Sequence, residues 1–92
     1  MPGTAHRMPF ADMPAAQQAG ILCNDPRFQT FAAMRSGFPG GCFQASAAAE
    51  YLRQCCGVTS RRDLNTNPAA RARFDRLRTD FDAWTGRLAH PR

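Results

Sequence analysis

Four cysteines, two histidines, seven carboxylates and twelve arginines are the groups with which this chain can do chemistry. A nucleophilic cysteine needs a base within hydrogen-bond reach, and a zinc site needs ligands in closely spaced pairs. The spacing offers neither. Cys23, Cys42, Cys55 and Cys56 contain no C-x-x-C, and His6 and His90 stand near the two ends. On a helix, Cys55 and Cys56 point about 100° apart, so the pair does not clasp one tetrahedral ion. Cys56 falls at a helix C-terminus, where the dipole raises a thiol pKa. Most of the cysteines are therefore expected to be free thiols buried as small apolar residues. No metal and no cofactor is expected.

The carboxylates lead to the same place. Asp12, Asp25 and Asp63 sit where helices begin and read as caps. Glu50, Asp75, Asp80 and Asp82 lie three or four residues from an arginine and read as helical ion-pair partners. All seven acids are thus assigned without an acid–base role, and the chain is expected not to be an enzyme.

What remains is arginine. The formal net charge is +5, and every basic residue is arginine. Residues 60–92 hold eight Arg against four Asp, net +4, whereas residues 1–59 hold four Arg against three acids, net +1. A guanidinium fork grips phosphate or carboxylate with two parallel hydrogen bonds. Arg61, Arg62, Arg73 and Arg76 are the candidate partner-binding residues, forming a basic patch around the start of the last helix. The net charge argues against DNA mimicry. Four aspartates interleave with these arginines, whereas a nucleic-acid contact line usually excludes acids. A host protein or nucleoprotein complex is therefore the expected partner, ahead of bare nucleic acid.

The elements that position these groups read as helices. Ninety-two residues make one domain, with residues 1–11 as a mobile arm and 12–92 as a single helical domain. Asp12 is expected to cap a short first helix that buries Ala15, Ala16, Ala19 and Leu22, with Gly20 weakening it. Asn24-Asp25-Pro26 starts a second, Pro26 to about Arg35, ended by Ser36-Gly37. A third runs from about Ala45 to Cys56, with Ala45, Ala48, Ala49, Leu52, Cys55 and Cys56 as its apolar face, a Glu50–Arg53 pair on its wet side and Gly57 closing it. Ser60 caps a short turn through Asp63, and Leu64 tucks inward.

The last helix is the strongest signal. Phe74, Leu77, Phe81, Trp84 and Leu88 recur every three or four residues, Asn67 is the N-cap and Pro68 takes the first helical position. One flank carries an expected ladder of Arg71, Asp75, Arg78 and Asp82. On the other flank Asp80 is expected to pair with Arg76 or Arg73. Val58 and Ile21 are the only Val and Ile, which argues against a sheet. The predicted fold is all-α, a small bundle of three to four helices packed on Phe28, Phe31, Leu52, Leu64, Phe74, Leu77, Phe81 and Trp84.

Two segments, Ile21-Leu22-Cys23-Asn24-Asp25-Pro26-Arg27-Phe28-Gln29 and Cys56-Gly57-Val58-Thr59-Ser60-Arg61-Arg62-Asp63-Leu64, followed by a late Trp84, carry a resemblance. The chain resembles short accessory proteins encoded by phages and prophages of GC-rich proteobacteria, over roughly residues 20–85. The arginine-only, alanine-rich composition suits such a genome. The resemblance implies a phage context, in which proteins of this size are often anti-CRISPR proteins, other inhibitors of host defence, or accessories of replication and recombination. It carries no catalytic motif.

The expected function is then a non-catalytic phage protein that inhibits a host nucleoprotein defence complex through an arginine-rich helical surface. One alternative is a nucleic-acid-binding accessory of phage replication or recombination, with the same arginines on phosphates. Another is a small scaffold whose long helix forms a homodimer through Ala72, Thr79, Ala83 and Gly86. No apolar run approaches the roughly 18 residues of a membrane span, and Met1 to Arg7 lack a secretory signal's apolar stretch. The expected location is the host bacterial cytoplasm.

Overall fold

Asn67 turns the chain into its longest helix. Its side-chain oxygen accepts the amides of Ala69 and Ala70 at 3.0 and 3.1 Å, and Pro68 follows with the φ a helix start needs. The same device starts an earlier helix, where Asp25 accepts the Arg27 amide at 2.8 Å ahead of Pro26. The computed structural model describes residues 13–86. The elements are α1 (Ala15–Cys23), α2 (Pro26–Arg35), α3 (Ala45–Cys56), a 3-10 turn (Arg61–Asn65) and α4 (Pro68–Thr85), with no strand among the described residues. The chain is all-α, a four-helix assembly with a long C-terminal helix.

The ends of the helices are closed by local chemistry. At the end of α3 the Gly57 amide bonds the Gln54 carbonyl and the Val58 amide bonds that of Arg53, a Schellman arrangement with Gly57 at φ 72°. Ser60 accepts the Arg62 amide at 3.2 Å and opens the 3-10 turn. The start of α1 is closed from elsewhere. Pro14 supplies no side-chain cap, and the Ala16 amide instead donates to Asn65 Oδ1 at 3.0 Å, across 49 residues of chain. The loop after α2 is tied back to that helix by the Phe43 amide on the Gln29 carbonyl.

α3 is the hub, in contact with α1, α2 and α4. Its buried residues are Ala48, Ala49, Leu52 and Cys56, small enough on two turns to admit neighbouring backbones closely. Against it sits an aromatic cluster from α2 and α4. Phe28 meets Phe81 edge-on at 5.3 Å, and Phe31 lies 5.4 Å from Phe81 and 5.9 Å from Phe28, geometries that aromatic quadrupoles favour. Leu64, Phe74 and Leu77 complete the core with Leu22 and the α1 alanines.

Several expectations are corrected. Trp84 is 41% exposed; in the last turn of α4 it lies at the core edge, 5.5 Å from Phe31 and stacked on Phe81, without entering the core. Cys55 is exposed and Ala45 and Ala16 only half-buried, since helix rotation carries them past the contact stripe. Gly20 does not interrupt α1. Gln18, absent from the expected core, is fully buried; its amide donates to the Met13 carbonyl at 2.7 Å and its Oε1 accepts from Arg78 at 2.8 Å. α4 stops at Thr85 with Gly86 in the left-handed conformation, three residues short of Leu88. Leu88, Arg87, the arm over residues 1–11, the Asp12 cap and both histidines lie outside the described residues.

Phe81→Ala removes the ring on which Phe28, Phe31 and Trp84 all rest. The expected cost is about 3–5 kcal/mol of unfolding free energy, read from urea titrations followed by circular dichroism.

Candidate functional site

The chain reversal between α3 and α4 borders a sizeable depression. Gly57 in its left-handed conformation ends α3, Val58 to Ser60 swing the backbone round, and the 3-10 turn that follows packs against α1 and α4. Arg61 and Arg62 of this turn line, together with Arg53 of α3, a cleft of about 750 Å³. Ala16, Gln17, Cys23 and Asn24 of the α1 region form the second wall, and Ala45, Ser46 and Ala49 of α3 the third. Three hydroxyls, Ser46, Thr59 and Ser60, line it, and among the described residues no carboxylate or aromatic ring does. Arg53 is partly engaged, with Nη2 on Glu50 Oε1 at 2.8 Å. That guanidinium, and then the Gln54 amide, hold the Glu50 carboxyl below its usual range. At the edge of the cleft, Cys23 is buried. Desolvation pushes its thiol up, with Arg61 and then Arg53 pulling the other way.

Arg73 and Arg76 lie elsewhere. They line a shallower groove of about 350 Å³ with Arg35, Cys55, Ala72, Leu77 and Asp80. Arg73 reaches back over the α3 terminus, where its Nη1 donates to the Cys56 carbonyl at 3.4 Å. An added Cβ on Gly57 would stand 2.8 Å from that same Nη1, so Gly57 provides both the turn and the room for Arg73. The four arginines named from the sequence thus line two depressions, Arg61 and Arg62 one and Arg73 and Arg76 the other. Arg53, Ser46 and Thr59 were not singled out. The available signal was Gly57, since a left-handed helix end turns the next residues back against the helix.

The charge ladder is also redistributed. Arg71 pairs with Asp75 as expected, at 3.0 Å. Arg78 is drawn instead to Gln18 of α1 at 2.8 Å. Asp80 meets Arg35 of α2 at 3.7 Å in place of Arg76 or Arg73, and the Arg35 guanidinium lies over the Phe31 ring at 5.1 Å. Packing brings groups from other helices closer than same-helix neighbours, which frees Arg76 for the groove surface.

All four cysteines are free thiols, but only Cys23 and Cys56 are buried, while Cys42 and Cys55 are exposed. Burial first, and the neighbouring Cys55 second, push the Cys56 thiol up to about 11. The direction is the one anticipated from the helix terminus, with burial as its leading cause. Tyr51 is likewise raised, by burial and then by its contact with Cys55. Among the described residues no three His, Cys, Asp or Glu side chains come together as metal ligands. Nor is any described helix long and apolar enough to cross a membrane.

Fold and surface together describe a small all-α protein with an arginine-lined cleft. No protein-family model, curated protein or solved structure matches the chain.

Two consequences are measurable. With dithiobis-nitrobenzoate at neutral pH, two thiols of the native protein are expected to react rapidly and two only after unfolding; C42S/C55S removes the fast phase. The raised Cys56 thiol also makes stability pH-dependent. The unfolded chain loses this proton near the ordinary 9.0, the folded chain only near 11. The stabilisation is therefore complete below pH 9 and is lost as pH rises towards 11, with Cys23 and Tyr51 acting in the same direction. Urea midpoints at about pH 8 and about pH 10.5 are expected to show the fall, and to show less of it in C56A.

Proposed function

We propose that this is a non-catalytic, phage-encoded binding protein that engages and inhibits a host nucleoprotein defence complex in the host cytoplasm, in the manner of an anti-CRISPR protein. The observation that carries the binding role is the cleft. Three arginines line a depression that no acid among the described residues lines; Arg53 is shared with Glu50, while Asp25 serves as a cap and Asp75 and Asp80 are held in ion pairs away from the cleft. Unspent guanidinium groups at a surface are common centres of binding energy. The phage context comes from the resemblance of the Ile21–Gln29 and Cys56–Leu64 segments. Arg61 and Arg62 in the cleft and Arg73 and Arg76 in the groove are the contacts assigned to the partner. Both depressions border the α3–α4 reversal, so one partner can touch both.

A second reading, an accessory of phage replication or recombination acting on bare nucleic acid, is favoured by the same absence of acids from the cleft. Salt dependence separates the two, since phosphate contacts release counterions and weaken steeply with ionic strength.

Purified guide-RNA effector complexes of a host bacterium are expected to retain the wild-type protein in a pull-down. Reversing Arg61, Arg62, Arg73 and Arg76 to Glu is expected to weaken that retention at least about a hundredfold, with the circular dichroism spectrum preserved. Unchanged retention after all four reversals would falsify the assignment. Salt-sensitive micromolar binding to bare DNA, without retention by any effector complex, would transfer the function to the second reading.

A further inference from the structure

The cleft between α1, the first turn of α3 and the 3-10 turn has a chemistry narrower than "basic". We propose that it is a binding site for a phosphate group, presented by a nucleotide or by the end of a nucleic-acid strand. The inference rests on the binding role above and names the ligand of the Arg61–Arg62 half of the surface.

Charge and donor geometry choose phosphate over carboxylate. A carboxylate is planar, carries one charge and is satisfied by a single guanidinium fork. A terminal phosphate carries close to two charges and three acceptor oxygens, so it needs donors from several directions. The cleft supplies them from three segments. Arg61 and Arg62 come from the 3-10 turn, Arg53 from the last turns of α3, and the Ser46 hydroxyl from its first turn. Ser60 accepts the Arg62 amide through its oxygen, which leaves its proton to donate. Ala45 and Ser46 place the positive end of the α3 dipole at the wall, and Gln44 makes no side-chain cap there. Arg53 contributes less than a full charge because Glu50 holds its Nη2. The neighbouring Cys23 thiol, kept protonated by burial, brings no opposing charge.

Size and lining set the rest of the ligand. About 750 Å³ is well beyond a bare ion and suits a nucleotide-sized group. Among the described residues no aromatic ring lines the cleft, so these walls offer a base no stacking platform, and recognition centres on the phosphate and its nearest sugar. The site is therefore indifferent to base sequence.

The test is fluorescence anisotropy with a short single-stranded DNA labelled at its 3′ end, bearing either a 5′-phosphate or a 5′-hydroxyl. The phosphorylated strand is expected to bind about tenfold tighter, and pyrophosphate to displace it. R61Q/R62Q is expected to abolish that preference. R27Q/R71Q, which removes two charges from ion pairs away from the cleft, is expected to retain it. Ser46→Asp guards against misfolding as an explanation. A carboxylate at this position favours the α3 start, so thermal stability should hold or rise while phosphate binding falls. Equal potency of adenosine monophosphate and the phosphorylated strand assigns a free nucleotide; a much tighter strand assigns a nucleic-acid end. Either supports the site. Equal binding of phosphorylated and unphosphorylated strands overturns it, as does full binding by both R61Q/R62Q and S46D. Displacement by an oligoglutamate peptide but not by pyrophosphate overturns it in favour of carboxylate. Retention of R61Q/R62Q by the effector complex, with phosphate binding lost, leaves the cleft assigned and moves the partner contact to Arg73 and Arg76. Phosphate binding without retention by any effector complex keeps the site and removes the inhibitor role.

Discussion

The distance at which helices can approach α3 governs this molecule. Ala48 and Ala49 are its inward side chains on the first turns, and α1, α2 and α4 all touch it. Interaxial spacing follows side-chain size at the crossing, so two alanines let three helices close on one. Larger residues there would push the neighbours out and open voids around Phe28, Phe31 and Phe81, in an interior that tolerates little added volume. Ala49 also forms part of the cleft wall. The same small side chains therefore compact the core and hollow the surface.

The arginines divide by what packing leaves them. Arg71 is held by its own helix, Arg35 and Arg78 by groups on other helices, and Arg73 by the Cys56 carbonyl at the end of α3. Exposed ion pairs of this kind contribute only a few tenths of a kcal/mol each, so they organise the surface more than they stabilise the fold. Their larger effect is to withdraw acids from competition. A guanidinium whose neighbourhood has been cleared of carboxylates keeps its donors for an external anion. Arg61 and Arg62 are in that position in the cleft, which no carboxylate among the described residues lines.

Local chemistry was legible in the sequence where one residue sufficed to decide it. Asp25 with Pro26 and Asn67 with Pro68 started helices at the residues expected, and Gly57 ended one. The period of Phe74, Leu77 and Phe81 placed the inner face of α4. The pattern misled at Trp84, which keeps the period and touches Phe31 and Phe81 yet stays largely open to water. Pairing across helices was not legible. Gln18 with Arg78 and Arg35 with Asp80 depend on relative helix positions that no local spacing encodes. The cleft was hidden for the same reason: Arg53 and Arg61 stand eight residues apart across a turn, one read as the wet side of a helix and the other as part of a basic patch with Arg73 and Arg76.

The borrowed cap on α1 has a consequence for how the chain is made. The amide of Ala16 is met by Asn65, and Pro14 itself offers no side-chain cap. A ribosome delivers residue 16 long before residue 65, so this bond forms late in synthesis. The inner face of α1, Ala15, Ala19, Leu22 and Cys23, gains α2 and α3 as neighbours before the 3-10 turn arrives. A product that ended before the 3-10 turn would lack this bond and the turn's packing on α1. The first helix made is thus among the last to be completed.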